Sequence, residues 1–275
     1  METVRILILG DVMGAPGRMM LQKHLPVLKQ EFHIDGVIVN GENSASDGRG
    51  ITSRIMRFFK HIGVDVVTGG NHSFQKKDIY PYLQEHKDLL RPANFPSACP
   101  GTGVTTFKIN ETVIGVINVQ GRVFMREHVG CPFKAVETAL TFLKTQTNCI
   151  IVDVHAESTS EKIGLAFNFD GKVSAVFGTH THVQTADERI LPGGTAFISD
   201  VGMAGALNSM IGMKKENIIY NMMTQLPVRF EVETEGPFFM TGIWVEIDKK
   251  TGKALKIERV KVVDQDLIIQ NSEQD

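Results

Sequence analysis

The sequence predicts an α/β fold in which mixed sheets form a layered sandwich with helices outside. Three observations support this: short apolar runs alternate with helical patterns in the first third, a hairpin pattern follows, and the last quarter resembles β-strands. Strands that alternate with helices are joined by right-handed crossovers into a largely parallel sheet. No repeat, linker or break in composition divides the chain. We therefore expect a single domain over residues 1–275, with a polar tail after about residue 264.

The first third of the chain alternates strands and helices. The predicted strands are Val4–Leu9, Gly36–Asn40 and Asp65–Thr68, and the predicted helices are Gly17–Glu31, Thr52–His61 and Lys76–His86. Thr52 is a suitable N-cap and Gly63 a suitable stop for the second helix, and Pro26 makes the first one irregular.

From Gly103 onward the pattern changes. Thr105–Ile109 and Val113–Val119 flank Asn110-Glu111, which is typical of an antiparallel hairpin. Next come a predicted helix at Phe133–Lys144 and strands at Cys149–Val154, Val173–Gly178 and Ala196–Ser199. The last predicted strands are Val228–Glu233, Phe239–Ile247 and Leu255–Val263, with Gly252 in the final turn.

Charge and composition exclude several classes of protein. The formal net charge is −2, from 29 basic and 31 acidic residues, so we expect no extended nucleic-acid footprint, although a small phosphate-bearing substrate is compatible. Three scattered cysteines make no disulfide framework. No run approaches the ~20 apolar residues of a membrane span, and Val4–Leu9 is too short for a signal-peptide core. We expect a cytoplasmic protein with no membrane partner; a homo-oligomer is compatible with the sequence.

Side chains that bind metals recur just beyond the ends of predicted strands, where the functional sites of α/β sheets are built. Five loops carry them: Gly10-Asp11, Glu42-Asn43, Asn71-His72, His155, and His180-Thr181-His182. Each of the first two is equally typical of a polar turn, and a lone histidine is more often structural. Asp153 or Glu157 could orient His155.

The last loop is the most specific. In an extended segment, residues two apart point the same way, so His180 and His182 are expected to face one metal cluster. Three histidines with oxygen ligands suit Fe, Mn or Zn rather than calcium. The five loops together supply too many ligands for one ion, so two are expected.

The order of these motifs resembles the calcineurin-like metallophosphoesterases: Gly10-Asp11, an acid at Glu42, Gly70-Asn71-His72, His155 and Gly178-Thr179-His180-Thr181-His182. Two departures are informative: Met13 stands where the usual first motif has a histidine, and Glu42-Asn43 replaces the usual bridging aspartate. These two departures, together with the segment Arg91-Pro92-Ala93-Asn94-Phe95-Pro96, make the chain similar to the bacterial YmdB family from Arg5 to about Val263.

That resemblance implies a four-layer α/β/β/α fold and a dinuclear Fe or Mn centre. Asp11, Glu42, Asn43 and His182 would hold one ion, and Glu42, Asn71, His155 and His180 the other. It also implies a phosphodiesterase for 2′,3′- and 3′,5′-cyclic nucleotides. Hydroxide bound between the metals would attack phosphorus, and His72 would act as general acid.

Two other functions remain open. The same centre could serve a phosphomonoesterase or nucleotidase, or the chain could be a non-catalytic regulator that senses nucleotides. Arg91, Arg122 and Phe124 could contact phosphate or a base, but they are equally typical of surface or packing residues. Dinucleotide binding is excluded because the loop after the first strand lacks G-x-G-x-x-G spacing and places Asp11 where pyrophosphate would lie.

Overall fold

A computed structural model of the chain describes residues 2–269. Three hydrophobic clusters separate four layers. The central cluster, which includes Ile6, Ile8, Ile151 and Phe177, lies between two sheets. The two outer clusters lie between each sheet and its own helices. The predicted α/β/β/α sandwich of mixed sheets is therefore confirmed.

The first sheet is mixed. Its seven strands are β1 (Thr3–Leu9), β2 (Asp11–Val12), β3 (Gly36–Asn40), β4 (Val66–Thr68), β11 (Met203–Ala206), β12 (Phe238–Asp248) and β13 (Ala254–Asp264). They run in the order β2-β11-β12-β1-β3-β4, and β13 pairs with β12. β1, β3 and β4 are parallel, whereas β12 is antiparallel to β1. The last quarter of the chain thus completes a sheet that the first quarter begins.

The second sheet has six strands in the order β5-β6-β7-β8-β10-β9. They are β5 (Val104–Ile109), β6 (Thr112–Gln120), β7 (Ile150–His155), β8 (Ala175–Thr179), β9 (Arg189–Ile190) and β10 (Ala196–Ile198). The hairpin β5–β6 is antiparallel, and β6, β7, β8 and β10 are parallel. The parallel strands point their carboxyl ends toward one edge.

Six helices cover the sheets: α1 (Gly14–Glu31), α2 (Ser53–His61), α3 (Ile79–Glu85), α4 (Pro132–Leu143), α5 (Thr159–Asn168) and α6 (Lys215–Thr224). The Thr52 side chain accepts a hydrogen bond from Ile55 N at 3.3 Å, which confirms it as the N-cap of α2. Pro26 lies inside α1.

The predicted elements are confirmed with shifts of a few residues at their ends, with one exception. Val228–Glu233 is not a strand, because its only ladder contact among the described residues is a single bridge between Met213 and Val232. Helices α5 and α6 and strands β2, β9 and β11 were not predicted.

The predicted polar tail begins with residues that pack on the protein. Leu267 and Ile269 lie against the first outer cluster, so the chain does not leave the core at residue 264. Residues 270–275 lie outside the described part of the chain. Within that part, none of the helices has the length and apolar character needed to cross a bilayer.

Asp264 joins the end of β13 to α1. Its Oδ2 lies 2.6 Å from Lys23 Nζ and 2.7 Å from His24 Nε2, and its Oδ1 accepts from the backbone N–H groups of Asp266 and Leu267. Lys23, supported by His24 and these N–H groups, holds the pKa of the Asp264 carboxyl well below its usual range, although burial opposes it.

We expect Asp264→Asn to lower the free energy of unfolding by about 1–2 kcal/mol at pH 7. Because the folded pKa is depressed, the carboxylate stabilises the protein above pH ~4 and loses this effect as the pH falls toward the folded pKa. The difference from wild type in urea melts should therefore shrink below pH ~4. Asp266→Asn is the control, since Asp266 is exposed and contributes only its backbone N–H. An equal loss in both variants would contradict this role.

Candidate metal centre

All eight predicted site residues meet at the edge where parallel strands of both sheets end. Asp11 follows β1, Glu42 follows β3, Asn71 follows β4, His155 ends β7 and His180 follows β8. A continuous series of contacts links these residues with His72, Asn43 and His182; all are between side chains except the one from the His180 backbone N–H to Asp11 Oδ2. The carboxyl ends of strands from two different sheets therefore build one site.

Glu42 lies at its centre and is 1 % exposed. Its Oε1 is 3.2 Å from His155 Nε2 and 3.3 Å from His72 Nδ1, and its Oε2 accepts from the His72 backbone N–H at 2.9 Å. Gly70 leaves room for this contact, since a Cβ there would lie 2.3 Å from Glu42 Oε2 and from His155 Nε2. The glycine before Asn71 is therefore required by the site.

Ligand atoms of three side chains converge closely. One donor atom each from Glu42, His155 and His180 lies within 4.8 Å of the others. His155 Nε2 is also 2.9 Å from Asn71 Oδ1 and 3.2 Å from His180 Nδ1. Metal ligands have this separation, because each must reach a common ion.

The other nitrogen of His155 fixes its tautomer. Thr179 Oγ1 donates to Asp153 Oδ1 at 2.8 Å, so it accepts from His155 Nδ1 at 2.9 Å. His155 Nδ1 therefore carries a proton, and Nε2 is the nitrogen directed toward Glu42. Asp153 orients His155 through a hydroxyl, the indirect contact that commonly aligns ligand histidines.

The other two histidines follow the same rule. His180 Nε2 lies 3.2 Å from Glu157 Oε2, which leaves Nδ1 toward His155. His182 Nδ1 lies 3.0 Å from the Ile211 carbonyl oxygen, which leaves Nε2 toward Asp11 Oδ1 at 3.7 Å. Each ring is thus held by an acceptor on one side and offers a free nitrogen on the other.

The backbone of this loop differs from the prediction. His180 and His182 lie beyond β8 and have positive φ angles of 95° and 64°, so the expected extended segment is wrong. The loop is shaped by the buried Asp200, whose Oδ2 accepts from Thr181 Oγ1 at 2.6 Å and from Lys162 Nζ at 2.8 Å. A long-range ion pair, rather than strand geometry, turns both histidines toward the site.

Metal ions fit this set of atoms. Four buried side-chain oxygens of the described chain have no hydrogen-bond partner, and two of them, Asp11 Oδ1 and Asn43 Oδ1, belong to predicted ligands. Buried polar atoms normally have one. Both face a region where lone pairs of imidazole, carboxylate and amide groups meet, which a cation would satisfy. Glu42 lies between two groups of predicted ligands, with Asp11 and His182 on one side and Asn71 and His155 on the other.

The electrostatics favour a cation as well. Burial raises the pKa of the Glu42 carboxyl, but the His155 and His72 rings outweigh burial and hold it well below its usual range. Burial lowers the pKa of His155, but the Glu42 carboxylate outweighs this effect and raises it to about 9. Burial and then His155 lower the pKa of His180 to about 3, so that ring is neutral. Carboxylates that favour a proton on His155 would equally favour a metal ion there.

A cavity of about 420 Å³ opens beside the centre. Its lining combines His72, His180 and His182 with a set of apolar side chains, here called the apolar wall: Met13, Met210, Ile211, Met213, Met222 and Phe230. The His72 side chain is 26 % exposed, and its Nε2 forms no hydrogen bond among residues 2–269. Sequence reasoning missed this wall because most of it lies in a segment without metal-ligand residues.

The three residues whose role the sequence left open, Arg91, Arg122 and Phe124, do not join the ligand cluster. Arg91 lines a different cleft, and Phe124 is 86 % exposed with φ 63°. Arg122 is exposed, and its backbone N–H donates to Glu161. Thr179, Lys162 and Asp200 support the site but were not predicted as site residues; only the position of Thr179 next to His180 signals a role.

Comparison with known proteins agrees with this geometry. The profile of the YmdB-like protein family matches residues 7–260. The chain is 46 % identical over 261 residues, 95 % of this chain and 98 % of the relative, to a protein of Bacillus subtilis (strain 168) named 2′,3′-cyclic-nucleotide 2′-phosphodiesterase. This name agrees with the expected phosphoester hydrolase.

Solved structures agree as well. A crystal structure of a protein from Mycoplasma pneumoniae, described as a novel phosphatase, matches with a TM-score of 0.89 and 37 % sequence identity. The match covers 97 % of this chain and 95 % of the Mycoplasma chain. The structure of a putative 5′-nucleotidase from Staphylococcus aureus matches with a TM-score of 0.63 at 17 % sequence identity. The match covers 99 % of this chain and 57 % of the Staphylococcus chain, and it shows a shared fold. With its ligand residues gathered at one edge and its family profile matched over nearly the whole length, the chain belongs to the YmdB-like protein family.

Proposed function

We propose that this protein is a dinuclear-metal phosphodiesterase that hydrolyses cyclic nucleotides in the 2′,3′- and 3′,5′-cyclic forms. The observation that carries the proposal is the convergence of ligand atoms of Glu42, His155 and His180, which lie within 4.8 Å of one another, with each histidine held by an acceptor on its far nitrogen. The name of the Bacillus subtilis relative supports a diester substrate.

The ligand residues divide into two groups that share Glu42. Asp11, Glu42, Asn43 and His182 would hold one ion, and the second group is Glu42, Asn71, His155 and His180. The buried, unpartnered oxygens of Asp11 and Asn43 support the first group. The short contacts of His155 Nε2 support the second. In this assignment, Asn43 takes the place of the histidine that the usual first motif has at the position of Met13.

The bound ions, Fe or Mn, would lower the pKa of the attacking water and neutralise charge on the phosphoryl oxygens. The water oxygen forms a bond to phosphorus as the bond to one ribose oxygen breaks. His72 donates its Nε2 proton to that ribose oxygen. Its Nδ1 lies beside Glu42 and Asn43, which hold the ring while Nε2 stays free to face the cavity.

The lining of the cavity favours a nucleotide over a small polar ester as the substrate. The apolar wall, which includes Met210, Met213, Met222 and Phe230, lines the same cavity as His72 and His180. Apolar and thioether side chains pack well against the faces of aromatic rings, as a nucleobase would present. A phosphate at the metal centre would place its base against this wall.

The direct test compares diester with monoester hydrolysis. Metal-loaded protein should hydrolyse bis-p-nitrophenyl phosphate and both cyclic forms of AMP faster than p-nitrophenyl phosphate. A chelator should abolish turnover, and Mn or Fe should restore it.

Two results would contradict the proposal. Faster hydrolysis of the monoester would favour a phosphomonoesterase using the same centre. Tight nucleotide binding by metal-loaded protein without turnover would favour a sensor.

We expect His72→Ala to reduce kcat about 10²–10⁴-fold, the usual contribution of a general acid, while metal content stays unchanged. Both quantities are measured on the same preparation, by cyclic-nucleotide turnover and elemental analysis. His61→Ala, at the exposed end of α2, is the matched control. If His72→Ala loses its metals, His72 is a ligand and the acid role is wrong.

We expect Thr179→Val to weaken metal affinity about 10–100-fold, because His155 loses the acceptor that orients it. Thr68→Val is the control: Thr68 also donates to Asp153, at 2.5 Å, but has no hydrogen bond to His155. Competition with a chromophoric chelator measures both. Equal losses would mean that the threonines act only by satisfying the buried Asp153.

A further inference from the structure

A second cleft is separate from the cavity at the metal centre. It has a volume of about 580 Å³ and is bounded by the segment after α3 and by helix α4; it shares no lining residue with the cavity at the centre. Its lining includes Arg91, Asn94, Thr102, Lys134, Thr138 and Phe142. Neither the predicted ligands nor His72 reach it, so the cleft has no part in the reaction proposed above.

Arg91 is the unusual residue of this cleft. It is only 7 % exposed, and the single hydrogen bond of its side chain among the described residues is from Nη1 to the Pro92 carbonyl oxygen at 2.8 Å. Its Nε is buried without a partner, and no carboxylate of the described chain pairs with it. A buried guanidinium normally has an anionic partner, because burial removes the water that would otherwise solvate its charge.

The surroundings of Arg91 are also electropositive. Of the described residues that line the cleft, Arg91 and Lys134 are cationic and none is acidic. The first turn of α4 faces the cleft through Cys131 and Lys134; no side chain caps this turn, and it contains no acidic residue. The positive end of a helix dipole therefore adds to the two cationic side chains.

We propose that this cleft binds an organic phosphate. The phosphate would pair with Arg91, with Lys134 and the first turn of α4 beside it. Its apolar or aromatic part would lie on Val104, Ala139 and the 60 % exposed ring of Phe142. Nucleoside monophosphates have this combination of a doubly charged end and a flat apolar end.

The cleft adjoins the metal centre through one strand. Ala93 N donates to the Asn118 carbonyl at 2.7 Å, and Asn94 Nδ2 donates to the Gln120 carbonyl at 2.7 Å, both on β6. Gln120 lies opposite His155 in the pairing of β6 with β7. Because the metal centre itself binds phosphate, the test needs a readout inside the cleft.

Cys131 provides that readout, since it lines the cleft and is partly exposed; Cys99 is also partly exposed but does not line the cleft, and Cys149 is buried. The rate of alkylation of Cys131 by iodoacetamide is followed by peptide mass spectrometry in metal-loaded protein, with AMP, inorganic phosphate or adenosine added. AMP should protect Cys131 at the lowest concentration, inorganic phosphate at a higher one, and adenosine hardly at all.

Substitutions locate the binding groups. Arg91→Met and Lys134→Ala should each raise the AMP concentration needed for protection by roughly tenfold or more, the usual effect of losing a charge-assisted hydrogen bond. Lys108→Ala is the matched control, because Lys108 is exposed on β5 and does not line the cleft. Lys134 is exposed, so its variant reports on the cleft even if Arg91→Met folds poorly.

Two outcomes would overturn the proposal: AMP that binds the protein without protecting Cys131, or protection that is equal in wild type and both variants. Asp11→Asn, which removes a predicted metal ligand, should keep the protection; its loss there would assign the effect to the metal centre. Because no readout depends on turnover, a failure here is distinct from a failure of the phosphodiesterase proposal.

Discussion

The contact between Glu42 and His155 is the constraint on which the site depends. One residue follows a strand of the first sheet and the other ends a strand of the second, and both are almost completely buried, with 3.2 Å between Glu42 Oε1 and His155 Nε2. A buried carboxylate costs much free energy unless it is paired and hydrogen-bonded. The two sheets must therefore meet in one register, and the packing between them serves to hold this pair together.

The fold, and the meeting of the predicted site residues at one edge, could be predicted from the sequence because their signals are local. A buried parallel strand is a short apolar run, and the polar residues that follow it lie at its carboxyl end, as Asp11 and Glu42 do. The predictions that were wrong depend on contacts between residues that are far apart in the sequence. Val228–Glu233 has strand-like residues but finds almost no partner strand. The backbone of His180 and His182 depends on Asp200 and Lys162, which are distant from that loop in the sequence.

The departure at Met13 can now be explained in structural terms. Met13 is buried with Met203 and Val232 in a small apolar cluster next to the centre, and it also lines the cavity. A histidine there would bring a polar ring into this cluster. Asn43, from a neighbouring loop, lines the same cavity and has a buried, unpartnered Oδ1, so a polar atom is present near the centre while position 13 stays apolar.

The three predicted ligand histidines are not held with equal firmness. His155 contacts a hydroxyl that is itself bound to a buried carboxylate, and His182 contacts a main-chain carbonyl. His180 instead contacts Glu157, whose side chain is 47 % exposed, where dissolved ions screen the attraction. Two of these rings are therefore fixed from the protein interior, whereas the orientation of the third depends on a solvent-exposed carboxylate and is the one that ionic strength affects.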